Sequence, residues 1–180
     1  MIDATQRAAF TPSSPDDAVL QLYTSGTTGN PKGAVLSLVR SLADALAAGR
    51  PVLAMESTIF THGLPRPRNL EVALQAEDQV RAAGVTPATI GVVEGVPTVG
   101  MTAEQVERLA NDDEVIKASV RELPVARATG ANAGTTIAAT TYLANAVGID
   151  VFSTGGLGGV HHGASSTFDE SVRHVAGRSA

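Results

Sequence analysis

The side chains best suited to chemistry in this 180-residue chain stand where apolar runs stop. After the apolar stretch 149–153 come Thr154, Gly155, Gly156, Leu157, Gly158, Gly159, Val160, His161, His162 and Gly163. Five glycines within nine residues let a backbone close around an anion with its N–H groups turned inward. Gly156 and His161 are the candidate ligand contacts of this loop, and a tight structural turn is the alternative use of such glycines. Asp169 lies six residues beyond, and with His161 it offers one oxygen and one imidazole to a divalent ion. Glu56 follows residues 52–55, an apolar run. A carboxylate at the end of a buried strand is costly to desolvate unless paired, and there it can serve as a proton donor or as half of a structural ion pair. Lys117, at the end of another apolar stretch, is either a surface lysine with a buried stem or a cation for a phosphate or carbonyl. Asn132, Ala133, Gly134, Thr135 and Thr136 are expected to open a helix whose free N–H groups either attract a phosphate or are simply capped.

Strand–helix alternation would position these groups. Residues 19–23 read as a short strand, 24–33 as a turn-rich loop, and 38–48 as a helix with Leu38, Leu42, Ala45 and Leu46 on one side. Residues 51–55 read as a buried strand. A helix over 70–83 would be capped by Asn69 and ended by Gly84. Residues 89–93 are a second strand, and 102–110 a helix started by a capping box of Thr102 and Gln105. A strand stub at 115–117, a helix over 135–147 and a strand at 149–153 complete the pattern, with His62 taken as a turn residue before Gly63. Such alternation predicts an α/β fold: an α/β/α layered domain with a mixed or mostly parallel sheet, incomplete at its C-terminal side. Ligands of these sheets gather beyond the carboxyl ends of the strands, so Glu56, Lys117 and the 154–163 loop are expected on one rim.

Composition removes several classes. Thirteen Lys and Arg against eighteen Asp and Glu give a net charge of −5, and aromatics are only 3%, so the footprint and stacking platforms of a nucleic-acid binder are missing. The absence of Cys rules out thiolate chemistry within the sequence. No apolar run approaches the roughly 20 residues that cross a bilayer, and the first residues lack a signal-peptide pattern, so a cytoplasmic setting is expected.

Five blocks in order carry a resemblance. They are residues 45–65, which include Glu56-Ser57-Thr58-Ile59-Phe60-Thr61-His62-Gly63, then 85–90, 115–124, 131–140 and 151–164, with Thr167-Phe168-Asp169 following. Together they resemble the N-terminal half of the pseudouridine-5'-phosphate glycosidase family, also called indigoidine-synthase-A-like. The resemblance implies reversible exchange of pseudouridine 5'-phosphate and water with uracil and D-ribose 5-phosphate. It implies Glu56 as proton donor, Lys117 and Ile137 as substrate contacts with Thr136 beside them, and Asp169 as the carboxylate associated with Mn²⁺. It also implies contacts at Ser171, Val172 and Arg173, although the family expects Ser-Ala-Asp there and only Ser171 agrees. A C-glycosidic bond has no bridging atom to protonate, so the sugar must be opened and its C1' held as an electron sink. The family does this with a lysine Schiff base. That lysine belongs to a segment downstream of the Thr-Phe-Asp block, so this chain by itself is expected to be weak or inactive. Family members assemble as homo-oligomers, reportedly trimers, and the same is expected of a complete enzyme.

A second resemblance lies upstream. Residues 19–37, with Thr24, Ser25, Gly26, Thr27, Thr28, Gly29 and Lys32, resemble the phosphate-binding loop of acyl-adenylate-forming enzymes, in which hydroxyls, glycine backbone and lysine meet ATP phosphates. The spacing is not that of a P-loop. The expected organisation is therefore a foreign or extended segment over residues 1–41 and a partial glycosidase domain over 42–180. An ATP-binding fragment, or a remnant that binds a sugar phosphate without turnover, are the alternative functions.

Overall fold

The computed structural model describes residues 17–24 and 32–157. In chain order the elements are β1 (Asp17–Thr24), β2 (Lys32–Val39), α1 (Arg40–Ala47), β3 (Val52–Met55), α2 (Thr58–His62), α3 (Arg68–Ala82) and β4 (Thr86–Val93). They continue with β5 (Val96–Val99), α4 (Ala103–Asn111), β6 (Ile116–Ala118), α5 (Leu123–Thr129), β7 (Ala133–Thr135), α6 (Ile137–Ala146) and β8 (Phe152–Ser153).

Alternation along β4 explains the layering. Ala88, Ile90 and Val92 join one buried cluster with Leu42 of α1, Leu123 and Ala126 of α5, and Ala139, Leu143 and Ala144 of α6. Val93 joins a second cluster with Phe60 of α2, Val106, Leu109 and Ala110 of α4, and Met101, against which Leu70 and Leu74 of α3 pack. Successive side chains of a strand point to opposite faces, so both faces of β4 are dry and each is covered by three helices. Gly91 lies where a Cβ would meet Met101 Sδ at 2.8 Å and Leu109 Cδ2 at 2.9 Å, so a bare backbone is needed for α4 to approach. The α/β/α layering expected from the sequence is thus present. The sheet is mixed, with four parallel and three antiparallel pairings among the described residues.

Strand order is β1-β2-β5-β4-β3-β8, with β7 also pairing β4 and β6 pairing β7. The central strand β4 is shared end to end along one edge. Its first half pairs in parallel with β3 (Met55 opposite Thr89), and its second half pairs antiparallel with β7 (Gly91 opposite Gly134). The carboxyl ends of β3 and β7 therefore run towards each other and meet. On the outer sides β8 lies parallel to β3, and β6 parallel to β7. Four strand ends converge on one seam from two opposite directions, rather than lining one rim as expected.

Several elements differ from the sequence reading. Residues 38–39 extend β2 instead of beginning a helix, and Leu36 of β2 is 1% exposed within the core. Asn69 does not cap α3. It lies buried inside that helix, where its Nδ2 donates to Phe60 O at 3.0 Å and Ala110 O at 2.8 Å. β4 begins at Thr86 despite Pro87, because β5 joins β4 only from Ile90 onward and β3 takes the bond from the other side. β5 was not foreseen; Glu94 (φ 50°) and Gly95 (φ 78°) form the two-residue left-handed turn that folds it back on β4. The capping box at Thr102 and Gln105 is formed as expected.

Candidate functional site

Glu56 is the first residue past β3 and Thr154 the first past β8, and the parallel pairing of Met55 with Ser153 sets them side by side. Thr154 Oγ1 donates to Glu56 Oε1 at 2.9 Å, and Gly155 N approaches the same oxygen at 3.4 Å. Gly156 N in turn donates to Thr154 Oγ1 at 3.4 Å. Both donors address Oε1, and Oε2 has no partner among the described residues. Among the described residues no atom beyond its chain neighbours lies within 4 Å of where a Gly156 Cβ would stand. Two of the expected site elements, Glu56 and the start of the glycine loop, are therefore in contact.

The next residue ties the two halves of the seam. Ser57 is fully buried; its Oγ accepts from Thr135 N at 2.8 Å and lies 3.3 Å from Thr135 Oγ1. Thr135 Oγ1 donates to Ile90 O at 2.7 Å and accepts from Thr140 Oγ1 at 3.0 Å. This hydroxyl cluster fixes β7 against the end of β3; the sequence reading has Thr135 only within the segment expected to open a helix and Ser57 only within a resemblance block, and does not foresee that the two join. The only local hint was a pair of hydroxyl residues directly after an apolar strand.

Beyond the seam, residues 133–135 form a strand, which corrects the expectation that the segment from Asn132 opens a helix. The N–H of Thr135 is spent on Ser57, and that of Thr136 on Ala118 O at 2.9 Å, so neither can hold an anion. The helix begins at Ile137, with Thr136 as its N-cap residue and no side-chain capping bond. Thr136 Oγ1 is buried and has no hydrogen-bond partner among the described residues. Positive helix-dipole potential and an uncommitted hydroxyl thus coincide at the start of α6.

Lys117 pairs with Gly134 across β6 and β7, so its side chain leaves the sheet on the face where Thr61 of α2 covers Gly134. Lys117 is exposed and has no hydrogen bond or ion pair among the described residues. No hydrogen bond or ion pair joins it to Glu56 either; the link between them runs through Ser57, Thr135, Thr136 and Ala118. His62, read from sequence as a turn residue, is the last residue of α2 and lies within charge range of Lys117. His62 is exposed as a residue, and partial desolvation of its ring first, then the Lys117 ammonium, hold its imidazole below the ordinary 6.5, against an opposing backbone bond at Val115.

His161, Asp169, Ser171, Val172 and Arg173 lie outside the described residues, as do Ser25, Gly26, Thr27, Thr28 and Gly29. Thr24 and Lys32 are register partners in the last pair of the β1–β2 ladder, where β1 ends and β2 begins. Among the described residues no group of three or more His, Asp or Glu is arranged to hold a metal ion, and no helix is long and apolar enough to cross a membrane.

A layered sheet with an acid and a glycine loop on neighbouring strand ends defines a class that the comparisons identify. Residues 41–173 match the family described as Indigoidine synthase A like protein, and the chain belongs to that family. Its relatives include the pseudouridine-5'-phosphate glycosidase of Saccharopolyspora erythraea, 69% identical over 128 residues, which are 71% of this chain and 42% of that protein. The pseudouridine-5'-phosphate glycosidase of Frankia alni is 60% identical over 72% of this chain and 36% of its own length. Among solved structures, the prealnumycin C-glycosynthase AlnA in complex with ribulose 5-phosphate matches with a TM-score of 0.62 and 41% identity, over 71% of this chain and 41% of that one. An indigoidine synthase A-like protein of Thermotoga maritima matches with a TM-score of 0.64 and 38% identity, over 70% and 42% of the two chains. The chain thus spans less than half the length of these relatives. Residues 3–73 also match the model described as AMP-binding enzyme, overlapping the first match over 41–73.

Proposed function

We propose that this chain carries the sugar-phosphate-binding part of a pseudouridine-5'-phosphate glycosidase. Together with the part of its relatives that these 180 residues do not span, it cleaves the C-glycosidic bond of pseudouridine 5'-phosphate to uracil and D-ribose 5-phosphate. The observation that carries this reading is the contact of Glu56 with Thr154 and Gly155 at paired strand ends, beside the backbone of Gly156.

In this reading Glu56 delivers a proton from Oε2, while Thr154 and Gly155 hold Oε1 and fix the direction of the carboxyl group. Lys117 supplies a positive charge for the substrate phosphate or carbonyl from the other side of the seam. Thr136 contributes its unpartnered hydroxyl, and Ile137 lies against the substrate at the positive end of α6. His161, Ser171, Val172 and Arg173 complete the contacts by the resemblance alone. Asp169 would hold Mn²⁺, which when bound supplies positive charge near the sugar phosphate. A cytoplasmic homo-oligomer, in the family manner a trimer, with small-molecule ligands rather than a nucleic-acid polymer or a membrane, is part of the same proposal.

The test joins this sequence through residue 169 to the corresponding C-terminal part of the Saccharopolyspora erythraea relative. Uracil released from pseudouridine 5'-phosphate in the presence of Mn²⁺ is then measured by chromatography. Uracil is expected from the joined chain, and E56Q should slow its release by about 100-fold or more, the usual worth of a positioned proton donor. No uracil from a folded joined chain, or undiminished release by E56Q, overturns the proposal.

A further inference from the structure

His62 sits where the proposed substrate cation can feel its charge state. Its Nδ1 lies 2.7 Å from Thr61 Oγ1, and Thr61 Oγ1 is also 3.0 Å from Ser57 O. One hydroxyl has one proton. When Thr61 donates to Ser57 O it must accept from a protonated Nδ1, and when it donates to Nδ1 it releases Ser57 O. The same Thr61 side chain covers Gly134, the ladder partner of Lys117, which brings the end of α2 over the Lys117 position. Other charges around this helix are engaged elsewhere. Arg66 is directed to Ala110 O, Asp112 O and Asp113, and Arg68 of α3 pairs with Glu71. Asp112, following α4, accepts from Asn132 and Glu114 N, the exposed Glu114 precedes Val115, and β7 carries no charged residue. Among the described residues, Lys117 is the charge that acts on the ring.

From this geometry we propose that His62 is a positioning residue that makes anion binding at Lys117 proton-linked, a dianion being gripped more tightly once the imidazole beside Lys117 is protonated. In the free protein, partial desolvation of the exposed His62 and the neighbouring ammonium disfavour that proton. An anion on Lys117 removes the repulsion and adds an attraction, so the ring takes up a proton on binding. By linkage, affinity then rises as pH falls through the ordinary imidazole range. This inference rests on the proposal that Lys117 binds the substrate anion, and the experiment separates the two.

The probe is inorganic sulfate, whose charge does not change across the range, titrated calorimetrically into the 180-residue chain at about pH 7.5 and about pH 5.5. Affinity is expected to be on the order of fivefold higher at the lower pH, the effect of one added charge near a surface anion. The His62 ring resonances should titrate at higher pH with sulfate present than without. H62Q should bring the ratio between the two pH values to about one, and K117M should remove binding at both. Binding that needs Lys117 but is flat in pH, or an H62Q chain that keeps the slope, overturns the role of His62 alone. No sulfate or ribose 5-phosphate binding at either pH, or binding indifferent to K117M, overturns the Lys117 assignment and this inference with it.

Discussion

Replacing Gly134 by Ala probes the seam directly. A Cβ there would stand 2.1 Å from Thr61 Oγ1, 3.2 Å from Thr61 Cβ and 3.3 Å from Thr61 Cγ2. The first contact is far inside the 3.0 Å that a Cβ essentially never crosses. Rotating the Thr61 side chain does not relieve it cheaply, because the hydroxyl is bound to Ser57 O and His62 Nδ1 and the other two atoms remain tight. The end of α2 must therefore shift. Overpacking of this kind costs about 1–3 kcal/mol, and a lost hydrogen bond adds about 1. The stiffer unfolded chain of Ala returns about 0.4–1. G134A should thus destabilise the protein by about 1–3.5 kcal/mol in urea denaturation. T61A by itself should cost about 1 kcal/mol for its hydrogen bond. The double variant should be more stable than the sum of the two losses predicts, by about 1–2 kcal/mol, because most of the clash has gone. Costs that add to within about 0.5 kcal/mol, or a G134A chain as stable as the parent, would refute the account of how α2 is seated over β7.

Two further outcomes follow from the same contacts. S57A leaves the buried N–H of Thr135 without its acceptor, and should cost about 1–3 kcal/mol by thermal or urea unfolding; a loss below about 0.5 would mean the hydroxyl cluster does not join the two halves of the seam. The Ser119 hydroxyl, then Arg121 and the Ser119 backbone, hold the carboxyl of Glu122 below its ordinary 4.5 against a smaller effect of burial. Its folded value is depressed, so its contribution is present above pH 4.5 and is lost as pH falls through the folded value. E122Q should therefore flatten the stability–pH curve below 4.5, and an unchanged acid limb would count against this contact.

Local patterns in the sequence were sound wherever a few adjacent residues settle the outcome. The capping box at Thr102 and Gln105 needs only a three-residue spacing, and the strand before Glu56 needs only an apolar run, although only Ala54 of it is buried. Asn69 misled for the same reason. A short polar residue near a helix start reads as a cap, whereas its amide is taken by Phe60 O and Ala110 O from distant segments. Pro87 hid the first half of β4, since the position of β5 that makes it harmless is a tertiary fact. The Glu94-Gly95 turn was legible in principle and was missed, and the five-residue α2 is too short for periodicity to reveal.

Taken alone, the sequence determined the layered α/β class, the family resemblance, and the candidacy of Glu56, Lys117 and the glycine loop, because residue type and hydrophobic period are local properties. It could not determine that β3 and β7 meet head-on, since strand direction is set by pairing partners 30 or more residues away along the chain. That opposed arrangement, held by Ser57 and Thr135, is what puts the end of β3 beside the start of α6. It also places the end of α2 over Lys117, which turns His62 from a turn residue into its neighbour. Burial of hydroxyls that must find partners selected this seam, and those partners come together only when the chain is folded.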